Sequence, residues 1–292
     1  MKAIPQYNFH KTKYGDELLI DVVELRSIEK YIRRNPIHRL TYYDITLITE
    51  GNGEFIINDY SYPVHPNNIV CSIPGEVRGW NEDRTLNGYA LIFEEEFLLS
   101  FFNDPHFLQR LPYLDPERSS FVLHATPELS VRIHQLFREI KTEINNYSKK
   151  DHHILRAMLY EVLMLLNRAD TVSEPQPASK NKAVNRHAHA FTQLVNAEFI
   201  SQRNTKYYAD KLCITANYLN EITQNILGVS AKIYIQNKVM QEAKRLLSYT
   251  TLSITEIADK LHYNTPSYFI RSFHKHTGST PTQYRDSQNH EK

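Results

Sequence analysis

The stretch at residues 254–285, ITEIADKLHYNTPSYFIRSFHKHTGSTPTQYR, decides how the chain reads. Ser253 and Glu256 stand three apart at its start, the spacing of a capping box. Ile254, Ile257, Ala258 and Leu261 recur at helical spacing and predict one buried face. His262-Tyr263-Asn264 follows as a short turn. Thr265 is placed to cap a second helix, and Pro266 suits its first position, where a backbone N–H has no partner to lose. In that helix Tyr268, Phe269 and Phe273 supply apolar anchoring. Ser267 and Arg271 are four apart, so they share a polar face turned away from Phe269 and Phe273. A polar face with an arginine, on a helix fixed by the helix before it, is the layout of a major-groove reader. Spacing alone leaves a second reading open, an ordinary helical hairpin with a solvated polar face.

The words of the stretch carry more than its spacing. Ile254, Ile257 and Ala258, then a turn, then Ser267-Tyr268-Phe269, Arg271 and Phe273, then Gly278, Pro281 and Tyr284-Arg285 resemble the signature of AraC/XylS-type transcription regulators. The family has glycine in the turn where this chain has His262, and histidine tolerates positive φ less well than glycine. Arg285 is expected to cap or brace the last helix.

Immediately upstream the pattern recurs. Residues 189–200 read as a helix and 206–213 as a short one with Tyr208, Ala209 and Leu212 on one face. Ile214-Thr215 is the turn. Residues 216–227 form a helix with Tyr218, Leu219, Ile222 and Ile226 inward, and Gly228 is placed to end it. A long helix over Ala231–Tyr249 follows, with Ile233, Ile235, Val239, Ala243, Leu246 and Leu247 apolar. This upstream unit also resembles the family, with Ala231 where the family has proline. Two helix-turn-helix units, about 206–228 and 254–277, thus flank one linking helix.

Amide side chains can pair with adenine and arginine with guanine. The expected base readers are Asn217, Asn220, Glu221 and Gln224 in the first unit and Ser267, Tyr268 and Arg271 in the second. Phosphate contacts are expected from Lys206, Lys211, Lys232, Arg245 and Lys275, and from the helix starts at Thr215 and Thr265. For each of these residues alone, a plain solvated role is the alternative. A stiff linking helix would present both readers to grooves about 34 Å apart.

The first half of the chain is strand-like. Residues 18–25 suggest a first strand, and YYDITLITEGNGEF at 42–55 alternates towards strand with a hairpin turn at Gly51-Asn52-Gly53. Further strands are expected at 54–57, 69–73 and 88–93, separated by turns at Asn58-Asp59, Pro66-Asn67-Asn68 and Pro74-Gly75. Short strands at such intervals suggest a small antiparallel barrel or sandwich. His38, this phrase, the two proline turns and GYALIFEEEFL at 88–98 resemble the cupin-like N-terminal domain of many AraC-type regulators. That resemblance implies a barrel that binds a small effector or serves in dimerisation. His38, Arg39, Tyr42, Tyr43, Arg78 and Trp80 are the candidate effector contacts, with core packing as the alternative for the aromatics. Residues 127–147 and 151–169 read as helices, the second with a stripe of Leu155, Leu159, Val162, Leu163 and Leu166. That stripe either packs on the barrel or forms a dimer.

Composition narrows the class. The apolar (41%) and charged (23%) fractions are those of a globular chain. Cys71 and Cys213 stand far apart without a CxxC, which argues against a disulfide scaffold or zinc finger and fits a reducing cytoplasm. No signal peptide and no apolar run of membrane-spanning length are evident. The net charge of +1 hides an asymmetry: residues 1–182 hold 21 Lys+Arg against 25 Asp+Glu, and residues 183–292 hold 13 against 8. The attraction to phosphate therefore falls in the C-terminal part. No H-x-H pair occurs in the barrel, and those at His187/His189 and His274/His276 lie on helices, where i and i+2 face apart. No metal, cofactor or catalytic motif is expected.

The expectation is an α+β multidomain chain. A cupin-like antiparallel barrel spans 1–125, a helical dimerisation segment 126–170, a proline- and serine-bearing linker 171–184, and an all-α DNA-binding domain 185–292. The implied function is a sequence-specific transcription regulator, an activator by expectation. Its partners would be double-stranded DNA, a small-molecule effector, a second copy of the chain and RNA polymerase. The competing hypothesis is a cupin-type enzyme or binding protein with a helical assembly domain.

Overall fold

The computed structural model describes residues 4–15, 17–57, 60–80, 86–99, 107–115, 118, 120–146, 152–172 and 182–290. The turn expected at Asn58-Asp59 and most of the expected linker lie outside these residues. The chain divides into two compact units, Met1–Lys182 and Ala183–Lys292.

In the first unit the strands are β1 (Gln6–Tyr7), β2 (Ile20–Glu24), β3 (Ile37–Leu40), β4 (Tyr43–Glu50), β5 (Gly53–Ile57), β6 (Tyr60–Val64), β7 (Asn68–Ser72), β8 (Val77–Trp80), β9 (Asn87–Phe93), β10 (Val122–His124) and β11 (Asp170–Thr171). The helices are α1 (Leu25–Arg34), α2 (Glu95–Leu99), α3 (Pro127–Asn146) and α4 (His152–Leu166). No helix was expected ahead of β3, yet α1 follows β2 directly, with Leu25, Ile28 and Ile32 at helical spacing against one core.

The strands form two open sheets, in the orders β1-β3-β8-β5-β6 and β11-β10-β7-β4-β9-β2. A closed barrel is therefore corrected to an open sandwich. Each sheet stops at an edge poor in ladder groups: β1 and β11 are two residues long, and β6 carries Pro63. All pairings are antiparallel except β1 with β3.

The six-stranded sheet is covered on both faces, which explains why β4 is buried almost throughout. Side chains alternate across a strand. Tyr43, Ile45 and Leu47 enter a core shared with α3 and α4. Ile48 instead faces the other sheet, in a core with Phe55, Ile57, Val70, Trp80 and Val122. The stripe of Leu155, Leu159, Val162, Leu163 and Leu166 lies wholly in the first of these cores. It thus packs within the unit, and the apolar groups α3 and α4 expose are others: Val131, Ile154 and Tyr160.

The second unit is helical: α5 (Lys182–Glu198), α6 (Thr205–Lys211), α7 (Ala216–Ile226), α8 (Ala231–Tyr249), α9 (Ile254–Lys260), α10 (Pro266–Thr277) and α11 (Pro281–His290). One continuous core runs from Phe191 and Tyr208 through Ile235, Val239 and Leu246 to Ile257, Phe269 and Phe273. The long helix α8 packs on α7, α9, α10 and α11. Ile233, counted among the apolar positions of this helix, is 47% exposed, whereas Ala231 and Ile235 on either side of it are buried.

Candidate nucleic-acid interface and effector cluster

Each reading helix is set by the same local devices. Asn204 caps α6, accepting from the Lys206 N–H, and Ser253 caps α9. The second cap is a full capping box: Ser253 Oγ accepts from Glu256 N–H at 3.2 Å, and Glu256 Oε2 accepts from Ser253 N–H at 2.7 Å. The words Ala-Asp-Lys-Leu then recur, at Ala209 to Leu212 and at Ala258 to Leu261. Each is followed by one residue at positive φ, Cys213 at 55° and His262 at 53°. The turn closes identically in both units: Ile214 N–H donates to Ala209 O and Tyr263 N–H to Ala258 O. Thr215 and Thr265 then cap α7 and α10, accepting from Tyr218 and Tyr268 N–H. Gly278 ends α10 at φ 80°.

Of the expected base readers, Asn217, Glu221, Ser267, Tyr268 and Arg271 are exposed. Tyr268 is 55% exposed, so it stands on the presented face and not in the core, and Tyr218, read as inward, is 37% exposed. Ile270 and His274 lie on the open side of α10 and were missed. Their period was legible, since both stand at helical spacing from Ser267 and Arg271. Asn220 is half-buried, and its Oδ1 accepts from Ala231 N–H at 3.2 Å. With Ser230, which accepts from Ile233 N–H, it starts α8 firmly without the family's proline. Gln224 is exposed but donates to Gly228 O at 2.9 Å.

The cations divide the same way. Lys206, Lys232 and Lys275 are exposed. Lys211 is held 2.6 Å from Glu198, whose carboxyl is kept below its usual range by bonds from Lys211 and Tyr207. Arg245 is paired at 2.7 Å with Glu242 and partly buried. These two meet a phosphate only by leaving a carboxylate. Arg285 donates to Leu247 O at 3.1 Å and to Leu252 O at 2.6 Å, bracing the end of α8 and the loop after it.

The expected effector residues do not share one face. His38, Arg78 and Trp80 point between the two sheets. Tyr43 is turned to the helical side, stacked on Phe93 at 5.1 Å. Arg39 faces away and donates to Gly75 O. Tyr42 packs edge-on against Phe9, and burial pushes its hydroxyl up. What joins His38, Arg78 and Trp80 was missed. Arg78, 3% exposed, lies 2.6 Å from Asp44 Oδ2 on the facing sheet. Thr46 Oγ1 donates to Asp44 Oδ1 at 2.6 Å, and Ser72 is Asp44's ladder partner. Among the described residues, Arg78 Nε and Ser72 Oγ are buried without a hydrogen-bond partner. Burial first, and then the Arg78 charge, push His38 down to about 4, so its imidazole is neutral. The signal was present: Asp44 and Thr46 put polar groups at alternate positions among the apolar Tyr43, Ile45, Leu47 and Ile48.

Among the described residues no group of three or more His, Cys, Asp or Glu is placed to hold a metal. No described helix is long and apolar enough to cross a membrane.

Known proteins resemble the chain in both of its parts. Residues 208–287 match the family described as a helix-turn-helix domain, and residues 23–163 match the AraC-like ligand binding domain. The HTH-type transcriptional activator RhaR of Mannheimia succiniciproducens is 24% identical over 254 residues, covering 86% of this chain and 87% of that protein. The melibiose operon regulatory protein of Escherichia coli K12 is 27% identical over 257 residues, covering 83% and 80%. A solved structure, the C-terminal domain of the response regulator AraT from Geobacillus stearothermophilus, is 31% identical and covers 37% of this chain and 88% of its own, with a TM-score of 0.33. These relatives and domains are those of regulators and not of enzymes, which removes the cupin-enzyme alternative. The chain belongs to the AraC family of transcription regulators, an AraC-like ligand-binding domain followed by a DNA-binding helix-turn-helix domain.

Proposed function

We propose that the chain reads two adjacent major-groove segments of its operator, one with α7 and one with α10. Asn217, Glu221, Ser267, Tyr268 and Arg271 face the bases. Lys206, Lys232, Lys275 and the helix starts at Thr215 and Thr265 face phosphates. The observation that carries this reading is the repeated geometry: two capped helices, each with the same positive-φ turn, set two exposed polar faces on one core. The regulated promoter responds to a small polar effector, and activation through RNA polymerase in the cytoplasm is the outcome.

The effector enters the polar cluster between the sheets. The buried, unpartnered Arg78 Nε and Ser72 Oγ support this, since such groups cost about 1–3 kcal/mol each unless something satisfies them. Relatives named for the melibiose and arabinose operons support a sugar-like ligand, whose hydroxyls would suit these donors and a neutral His38. The exposed Val131, Ile154 and Tyr160 of α3 and α4 offer the face for a second copy.

The test is selection of duplexes from a random pool by the full chain at about 0.15 M salt, followed by sequencing. Enrichment of one sequence with two conserved segments is the expected result. Binding that is uniform across sequences and erased by salt refutes the reading. A panel of sugars in thermal unfolding tests the effector, and loss of its response in Arg78→Met tests the site.

A further inference from the structure

We propose that Arg203 is a positioning residue that locks the two helix-turn-helix units in one mutual orientation, and so sets the spacing between the two DNA segments. This rests on α7 and α10 being the readers.

Arg203 directly precedes Asn204, the cap of α6, and so belongs to the first unit. Its side chain lies on the second. Its Nη2 donates to the carbonyl of Leu261, and its guanidinium carbon sits 4.0 Å from the centre of the Tyr263 ring. Leu261 closes α9, so that carbonyl is one of the oxygens a helix end leaves without an intrahelical partner. A cation there also meets the negative end of the helix dipole. Tyr263 carries the contact onward. It is 6% exposed, its ring lies 5.1 Å from Phe269 and 5.7 Å from Tyr268, and its hydroxyl reaches Ser272 Oγ at 3.4 Å. A short path therefore runs from the entry of the first unit into the second reading helix.

The near end of this path is fixed too. Tyr208, fully buried on α6, donates to Gln202 O at 2.7 Å, and Gln202 N–H donates to Glu198 O. Without Arg203 the two units would be related mainly through α8, and a single helix bends and twists. A second tie away from that axis restrains the twist. The precision matters because one base pair turns the duplex by about 35°. The residue type also fits: a guanidinium stacks on an aromatic ring while donating from its edge, and an ammonium does this poorly. Arg203 Nε is buried without a hydrogen-bond partner among the described residues. Its place is thus not one tuned for stability alone, and Arg203→Met, which keeps the apolar stem, is expected to fold.

The full chain is titrated onto its selected duplex, onto duplexes with one base pair inserted or removed between the segments, and onto duplexes carrying a single segment. The unaltered protein is expected to prefer its own spacing at least tenfold. In Arg203→Met this preference falls below threefold while single-segment affinity stays within twofold. A variant that keeps the tenfold preference overturns the proposal. So does one that loses single-segment binding in parallel, since the residue would then serve reading or folding itself. If Arg203→Met lacks a cooperative thermal transition, Arg203→Lys decides by the same criteria. An unaltered protein that reads only one segment refutes the two-reader premise, an outcome seen without any variant.

Discussion

His262 turns the second unit at φ 53°, a conformation in which an L residue other than glycine is held at about 1–2 kcal/mol above its ordinary wells. Its side chain is exposed, so little packing offsets that strain. His262→Gly is therefore expected to raise stability by about 1 kcal/mol, somewhat less than the strain relieved because glycine frees the unfolded chain. Urea unfolding at neutral pH checks it, and a loss of stability would mean that the imidazole holds the turn. His38 behaves differently. Its pKa falls from the ordinary 6.5 to about 4 on folding, so between those values the unfolded chain binds the extra proton. Stability then rises with pH through that window and is lost on acidification. Arg78 and Asp44 are the charges beside it. Going from pH 7.5 to pH 5 should cost about 2 kcal/mol through this group, and His38→Asn should flatten the slope of stability against pH. At this scale the caps were legible, because Ser253 and Thr265 act on their own neighbours in sequence. The partners of Asn220 and Lys211 were not, since each is bound by a residue eleven or thirteen positions away that only folding brings near.

At the scale of elements, the central strands β2, β4, β5, β7 and β9 and the helices α3 to α10 followed from period and punctuation, but α1, the short edge strands and closure did not. Whether a sheet closes depends on the edges of strands as short as β1 and β11, which no alternation reveals. What ties the two sheets is in part electrostatic. Arg78 on β8 and Asp44 on β4 are both nearly inaccessible, so each is the other's main compensation for leaving water. Removing one partner strands the other. Asp44→Asn is expected to destabilise the first unit by about 3–5 kcal/mol, and the paired change Asp44→Leu with Arg78→Met to recover most of it. Denaturant midpoints of the three proteins measure this. Equal losses in the single and double variants would show that the pair's charges do not constrain each other. The double variant should also lose any effector response, because it removes the donors the ligand would use.

At the scale of the whole molecule, charge and function divide between the two units. Residues 183–292 carry 13 Lys+Arg against 8 Asp+Glu, while the preceding residues are acidic. That surplus is modest, and Lys211 and Arg245 are already committed to Glu198 and Glu242. Nonspecific attraction to phosphate is therefore limited, and base contacts must supply much of the preference for an operator. Arg271 is the exposed cation among the proposed base readers on α10. A bidentate arginine–guanine pair is worth about 1–3 kcal/mol of discrimination. Arg271→Ala should weaken operator binding by that amount and relax preference at one base pair, with the salt dependence nearly unchanged. Lys275→Ala should do the reverse, lowering affinity on every sequence and reducing the salt slope by about one. Titrations of both variants over a salt series, on the operator and on its single-base variants, separate the two roles. If Arg271→Ala lost affinity equally on all sequences, the guanidinium would be a phosphate contact, and base recognition on α10 would pass to Ser267, Tyr268 and the exposed His274.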